Sequence, residues 1–401
     1  MKNIAIINSV IEKSTGKIGY GLHQFLLSKG YNSFYCYGYG DRMNDERLYR
    51  IDYYFERYVH ALKSRMFGDQ GFHSTLATKR LIKFLKKKEI DTIYGIGIHG
   101  YYLNEKLFFE FVSKNNIKFI YIMTEEYAYL GKCGYSNGCL NYKNGCGKCP
   151  QLKEYPKSLF FDRTKKIFEM KRKAYSSIED IVFVGPEFTI NSGKKSPLLS
   201  GKKTYILDES IDTNFYRPRQ FDELKSSLGI KDDKIIIECI APMSYERKGV
   251  KYFVELAKHF ENDERFVFVH VGYDKNYCKL PSNYIAIGYE RDQDRLAEYY
   301  SMADLFVFPS LLDTMPNACL EALSCGTPIL CFNISGMHYL TDDIAGKYVQ
   351  PRSVDELAQV VSITGKKSES ISNYCREYAV SRYDRVKYYD KLCKIGELIK
   401  Q

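Results

Sequence analysis

Two acids, Asp313 and Glu321, stand with seven residues between them in the stretch PSLLDTMPNACLEALSCGTPIL, residues 309–330. The stretch has no aromatic residue, in a chain with 36 Tyr and 24 Phe. Asp313 falls in a turn after the apolar run DLFVFPS. Asn317, with Pro316 before it, begins a helical pattern, and Glu321 lies one turn along it. A helix amino end has unpaired N–H groups and a positive dipole end, so it suits a phosphate. A carboxylate one turn in can accept bidentate hydrogen bonds from two vicinal hydroxyls, as in a ribose. Asp313, in the loop, can hold another hydroxyl-bearing group. The arrangement suits a sugar nucleotide, with ribose at Glu321, phosphates at the helix end and sugar at Asp313. The plainer alternative is a helix cap at Asp313 and an incidental charge at Glu321, since Asp is a common turn residue.

The elements that must position these acids alternate along the chain. IAIINSV, NSFYCYG, EIDTIYGIGIHG, NIKFIYIMTEE and DIVFVGPE read as strands, with STGKIGYG as a glycine-containing loop and LHQFLLSKG as a helix between the first two. The pattern restarts at KIIIECIAPMSYERKG and continues through VKYFVELAKHFEN, RFVFVHVGYD, NYIAIGYE, DRLAEYYSMA, DLFVFPS, NACLEALSCG and TPILCFN. Such alternation predicts βαβ units and parallel sheets covered on both faces. The fold class is α/β, two doubly wound halves joined near KTYILDESIDTNFYRPRQF. SNYCREYAVSRYDRVKYYDKLCKIGELIK reads as one long helical pattern with no following strand. Ligands of open α/β sheets sit beyond the carboxyl ends of the strands, and two such domains place the deep site in the cleft between them. The loops in question hold Gly16, Gly19, His99, Glu125, Glu126, Arg247, Lys248 and Asp313 to Asn317.

Composition sets the remaining bounds. A chain of 401 residues implies two domains of about 150–200 residues each. It has no apolar run of roughly 18 residues, and its first apolar run is too short for a signal peptide, so a cytoplasmic location is expected. The net charge of +10 favours anionic partners. Nucleic acid is set aside because the basic residues form no recognised motif. The densest basic run, Lys79 to Lys88, reads as a helix that packs one face and wets the other, or as an attachment to anionic lipid. Of twelve cysteines, Cys36, Cys239, Cys278, Cys319, Cys325, Cys331, Cys375 and Cys393 are scattered, several in apolar runs where they read as small core hydrophobes.

Residues 309–330 resemble the donor-site signature of retaining glycosyltransferases of family 4, which have the GT-B fold. Asp313, Pro316, Asn317, Glu321, Ala322, Gly326, Thr327 and Pro328 fall on the pattern of the branch that makes capsule, exopolysaccharide or colanic-acid-type polymers. The resemblance implies that Asp313 holds the donor sugar and Glu321 the ribose hydroxyls, with Thr314, Met315, Pro316 and Asn317 also at the donor. SYERKGVKYFVELA is similar to the family's basic loop, where Arg247 and Lys248 would grip the diphosphate and neutralise charge on the leaving nucleotide. SVIEKSTGKIGYG resembles the branch's first loop, with Gly16 letting backbone approach the ligand; a plain turn is the alternative. Base contacts are expected around Gly288, Tyr289 and Glu290. IHGYYLN also matches the branch, so His99 is a candidate for bonding the donor sugar or the acceptor, or is merely structural. The branch's His-Asp after the next strand stands here as Thr124-Glu125, and Glu125 or Glu126 is the candidate substitute.

GKCGYSNGCLNYKNGCGKCPQL holds Cys133, Cys139, Cys146 and Cys149 within seventeen residues. Four thiolates at this spacing can close a structural zinc site, with disulfides or free thiols as the rival. The branch often carries a comparable insert. The resulting expectation is a GT-B glycosyltransferase: residues 1–205 an acceptor domain with the Cys-rich insert at 131–151, residues 206–375 a donor domain, and 376–401 a helix crossing back. It would move a sugar, with retention, from a UDP- or GDP-sugar to a saccharide or polyprenyl-diphosphate-linked acceptor in cell-surface polysaccharide synthesis. No catalytic metal is expected, and peripheral contact with the inner face of the membrane is. A non-catalytic GT-B protein that binds nucleotide sugars or partners an active transferase is the alternative. A Rossmann oxidoreductase is disfavoured, because no G-x-G-x-x-G opens a helix after the first strand.

Overall fold

The computed structural model describes residues 2–52, 54–274 and 279–398. The chain divides into two compact units, Met1–Leu207 with Tyr389–Gln401, and Asp208–Tyr388. Each is built on a parallel sheet, as the alternating pattern predicts.

The first unit carries strands β1 (Asn3–Val10), β2 (Asn32–Tyr39), β3 (Leu48–Arg50), β4 (Thr92–Ile96), β5 (Lys118–Ile122), β6 (Ile181–Gly185) and β7 (Lys203–Ile206), in the order β3-β2-β1-β4-β5-β6-β7. Its helices are α1 (Lys13–Ser28), α2 (Tyr54–Phe67), α3 (Thr75–Lys87), α4 (Glu105–Lys114), α5 (Thr164–Ser177) and α6 (Glu187–Gly193). Strands β4, β5 and β6 are buried throughout, as expected where helices cover both faces of a parallel sheet. Ile93, Phe108, Phe109, Phe119 and Tyr121 stand in the core. The last segment is tied to this unit. Tyr389 donates to the Ile18 carbonyl at 2.9 Å, Tyr94 to the Leu392 carbonyl at 3.1 Å, and the Lys118 ammonium pairs with Glu397 at 3.0 Å.

The second unit carries β8 (Ile235–Ile240), β9 (Phe266–Val271), β10 (Tyr284–Ile287), β11 (Leu305–Phe308), β12 (Ile329–Phe332) and β13 (Gly346–Val349), in the order β10-β9-β8-β11-β12-β13. Its helices are α7 (Asp222–Ser227), α8 (Val250–His259), α9 (Gln293–Met302), α10 (Asn317–Ser324), α11 (Val354–Ser362) and α12 (Glu369–Tyr383); α13 (Arg385–Ile395) follows. Strand order reverses between β1 and β4 in the first sheet and between β8 and β11 in the second. These are the points where open α/β sheets place their ligands.

Two expectations are corrected. STGKIGYG is not a loop but the first turns of α1, and the long final pattern is two helices. The break is at Asp384, whose extended backbone (φ −61°, ψ 129°) bridges in parallel to Ile211, held by Ile211 N–H to the Tyr383 carbonyl and Arg385 N–H to the Ile211 carbonyl. Seven of the scattered cysteines are buried and free, while Cys278 lies outside the described residues.

Candidate functional site

The reversal between β8 and β11 brings together two loops distant in sequence. A short turn after β8 holds Arg247 and Lys248, and the loop after β11 holds Ser310 and Asp313. The loops are clamped backbone to backbone. Leu311 N–H donates to the Arg247 carbonyl at 2.7 Å, and the Ser310 hydroxyl lies 3.0 Å from the same oxygen. Gly249 makes the approach feasible: its φ is +68°, and a Cβ there would lie 1.8 Å from the Pro309 carbonyl oxygen.

Asp313 is buried, at 7% exposure, and one of its oxygens collects three donors. Lys248 Nζ lies at 2.9 Å, Arg247 Nη1 at 3.2 Å and Ser310 Oγ at 2.9 Å. Arg247 also donates to the Leu312 carbonyl at 2.9 Å, and the Lys248 ammonium sits 4.9 Å over the Phe308 ring. This excludes Asp313 as the cap of α10. The cap position is Pro316, which makes no side-chain cap bond. One turn in, Glu321 is half-buried and accepts from the Tyr300 hydroxyl at 2.9 Å; the Tyr216 hydroxyl bonds it too. Thr314, Met315 and Pro316 are buried and Asn317 half-buried. Met315 packs in the core, and its sulfur takes the Glu209 N–H at 3.2 Å. Tyr289, after β10, is 74% exposed. The site thus combines two cations, a carboxylate shared between them, an uncapped helix amino end and a second carboxylate one turn in.

In the first unit, His99 follows β4 and Glu125 follows β5. The His99 Nδ1 lies 2.6 Å from Glu125 Oε1, and the ring lies 4.9 Å from that of Tyr127. Burial alone would push His99 down, but the charge and hydrogen bond of Glu125, with Glu105 beyond, hold it above its ordinary value. Sequence reasoning missed the groups beneath this pair. Glu105 is fully buried and accepts from the Tyr127 hydroxyl at 2.6 Å. Lys171, equally buried, donates to the Tyr127 carbonyl at 2.7 Å and the Leu130 carbonyl at 3.1 Å. Burial pushes its ammonium down to about 8. Glu126 plays a different part, since its carboxylate takes the Ser136 N–H at 2.7 Å and so ties down the Cys-rich insert. The Gly16 expectation changes as well. The space its missing Cβ leaves is filled by Ile11 backbone, 2.6 Å away, so the chain's own packing accounts for this glycine.

The four clustered cysteines line one small cavity of about 20 Å³. Among the described residues, however, no group of three or more His, Cys, Asp or Glu side chains is arranged to hold a metal, so the zinc expectation is unsupported. Two of the thiols, Cys133 and Cys149, are coupled to each other, which holds Cys149 below the usual thiol range and Cys133 above it. The insert's tether is an ammonium. Lys132 is buried and donates to the carbonyls of Leu152 at 2.8 Å, Glu154 at 3.3 Å and Pro156 at 2.6 Å.

Comparison with known proteins bears on the class. The whole chain superposes on sucrose-phosphate synthase from Thermosynechococcus elongatus with a TM-score of 0.66 and 13% identity over 99% of each chain. It superposes on Anabaena HepE in complex with UDP with a TM-score of 0.63 and 13% identity over 99% of this chain and 100% of that one. The fold is therefore GT-B, two parallel α/β units. Residues 234–364 match the family described as Glycosyl transferases group 1. The Escherichia coli (strain K12) protein WcaC, which bears the name of a colanic acid biosynthesis glycosyl transferase, is 21% identical over 375 residues, 87% of each chain. An Escherichia coli UDP-Gal:alpha-D-GlcNAc-diphosphoundecaprenol alpha-1,3-galactosyltransferase is 27% identical over 208 residues, 47% of this chain and 53% of that one. This chain is a glycosyltransferase, and residues 234–364 are its group 1 glycosyl transferase domain.

Proposed function

We propose that the chain moves a sugar, with retention at the anomeric carbon, from a UDP- or GDP-sugar to a saccharide acceptor carried on a polyprenyl diphosphate, in the synthesis of a cell-surface polysaccharide. The donor sits at the carboxyl end of the second sheet. Its diphosphate lies against the amino end of α10 and the Arg247 and Lys248 cations, its ribose hydroxyls bond Glu321, and Asp313 holds the transferred sugar. Developing charge on the leaving diphosphate is met by the two cations and the helix dipole. The leaving phosphate takes the proton of the attacking hydroxyl, so configuration is kept without a covalent intermediate on the protein. His99 and Glu125 orient the acceptor.

The observation that carries this reading is the convergence of Arg247 and Lys248 on Asp313, 2.9–3.2 Å apart, beside an uncapped helix that presents Glu321 one turn in. The names of the relatives support it: HepE has been seen with UDP-glucose, and the galactosyltransferase is named for a UDP-linked donor and a diphosphoundecaprenol acceptor. The test is nucleotide release from a panel of UDP-, GDP- and ADP-sugars with a lipid-linked saccharide acceptor. Turnover with one donor that is lost in Glu321→Ala and Lys248→Ala supports the reading; nucleotide-sugar binding with no turnover across the panel contradicts it.

A further inference from the structure

The carboxylate of Glu321 is held by neutral donors from two separate segments. Tyr300, in the last turn of α9, donates its hydroxyl to Glu321 Oε2 at 2.9 Å. Tyr216, between β7 and α7, bonds the same carboxylate through its own hydroxyl. Both tyrosines are buried, at 1 and 5% exposure, whereas Glu321 is half-buried. Burial, and after it the charge of Glu321, pushes both phenols up, so each keeps the proton that it donates. The arrangement differs from that at Asp313, whose partners include two cations. A phenol orients a carboxylate without cancelling its charge, and a carboxylate accepts about four hydrogen bonds, so two phenols do not exhaust it.

The two tyrosines are themselves fixed. The Tyr216 carbonyl accepts Arg376 Nη1 at 2.8 Å and also the hydroxyl of Ser324, the last residue of α10. Helix α10 therefore grips Tyr216 twice, at its hydroxyl through Glu321 and at its backbone through Ser324. The Tyr300 carbonyl accepts Thr327 Oγ1 at 2.6 Å, and Lys367 Nζ donates to that Thr327 oxygen at 2.6 Å. The two rings meet edge to face with centroids 6.4 Å apart, and Phe306 on β11 meets Tyr300 in the same way at 5.4 Å. A glutamate side chain left to itself samples several rotamers, and ordering it on binding costs entropy. Here the phenols order it within the fold, before a ligand arrives.

We propose that Tyr216 and Tyr300 are positioning residues that hold the Glu321 carboxylate in the direction from which it bonds both hydroxyls of a ribose, and that they thereby set a preference for ribonucleotides over nucleotides lacking those hydroxyls. The inference rests on the assignment of the ribose to Glu321 and extends it from one side chain to the pair behind it. Neither tyrosine needs to touch the ligand, since each acts through the carboxylate.

The test is calorimetric titration of UDP, GDP and their 2′,3′-dideoxy forms into the full chain and its Tyr216→Phe, Tyr300→Phe and Glu321→Ala variants. The wild type is expected to bind a ribonucleotide at least about 30-fold more tightly than its dideoxy form. Each Phe variant keeps the ring and loses only the hydroxyl. It is expected to lose about five- to tenfold for the ribonucleotide and nothing for the dideoxy form, because only the two hydroxyls sense the direction of the carboxylate. Packing damage would weaken both nucleotides alike, so a parallel loss overturns the proposal, as does wild-type discrimination in either Phe variant. Where Glu321→Ala abolishes the discrimination, those outcomes leave the ribose assignment standing. A wild type that binds neither nucleotide, or a Glu321→Ala variant that discriminates as well as the wild type, overturns the ribose assignment and the proposal with it.

Discussion

The Lys248 ammonium lies 2.9 Å from an Asp313 oxygen that also receives Arg247 at 3.2 Å. One carboxylate oxygen holds two cations in place before any anion arrives. A diphosphate offers more charge than one buried carboxylate, so donor binding would draw the cations to the phosphates and leave Asp313 for the sugar. The cations are then positioned in advance rather than ordered on binding. Lys248→Ala is expected to lower kcat/KM by about 10²–10³-fold, the usual cost of removing one donor to developing charge. It would also leave Asp313 with a single cation. Steady-state kinetics with the donor found in the panel checks this, and a loss under about tenfold would remove Lys248 from the leaving-group site.

The His99–Glu125 pair makes a pH-dependent prediction. The pair holds the folded imidazole above its unfolded value, so the stability it contributes is fully present below the unfolded pKa of about 6.5 and is lost as pH rises through the folded one. Glu125→Gln should therefore lower Tm more at pH 6 than at pH 9. In NMR titration of the imidazole, the His99 midpoint should fall in that variant. An unchanged midpoint would mean the pair does not set the histidine's charge.

Glu238, on β8 and fully buried, has neither carboxylate oxygen bonded. Burial drives its pKa well above the ordinary value, against a smaller opposing pull from Lys367. A raised carboxyl pKa means stability is lost as pH rises from the unfolded pKa of about 4.3 toward the folded one. Glu238→Gln, close in shape to the protonated acid, should raise stability at pH 8 and change it little at pH 4. Thermal unfolding at the two pH values measures it; equal gains at both would point to packing instead.

Lys132 carries the Cys-rich insert on three carbonyl bonds. Lys132→Met leaves those carbonyls without their donor, at a cost of about 2–3 kcal/mol confined to the insert. Limited proteolysis should then cut within residues 150–157 at concentrations that spare the wild type. Unchanged protection would show that the other ties, Glu126 to Ser136 among them, suffice.

What the sequence made legible follows from where each element's stability arises. Strands such as KIIIECI and DIVFVG are buried on both faces, so they appear as unbroken apolar runs. The short strands β3 and β7 line the sheet edges, stay partly exposed, and look like loop. Three glycines made STGKIGYG look like a turn, but Gly16 is there because Ile11 backbone presses on it, a contact no local pattern reveals. The break at Asp384 depends on pairing with Ile211, more than 170 residues away, and is invisible in helical periodicity. At the candidate site, Asp313, Glu321, Arg247 and Lys248 could be named from residue type and spacing, whereas their convergence depends on the β8–β11 reversal. Lys171 and Glu105 could not be named. On their helices they look like surface charges, and only the packing of α4 and α5 buries them.

The central claim is that Glu321, one turn into an uncapped helix, grips a nucleotide's ribose. The most direct measurement is calorimetric titration of UDP and GDP into the wild type and Glu321→Ala. At least one nucleotide should bind the wild type, and the variant should bind that nucleotide about 30-fold or more weakly, as the loss of a hydrogen-bonded pair to a charged acceptor requires. Equal affinity in both proteins would contradict the account.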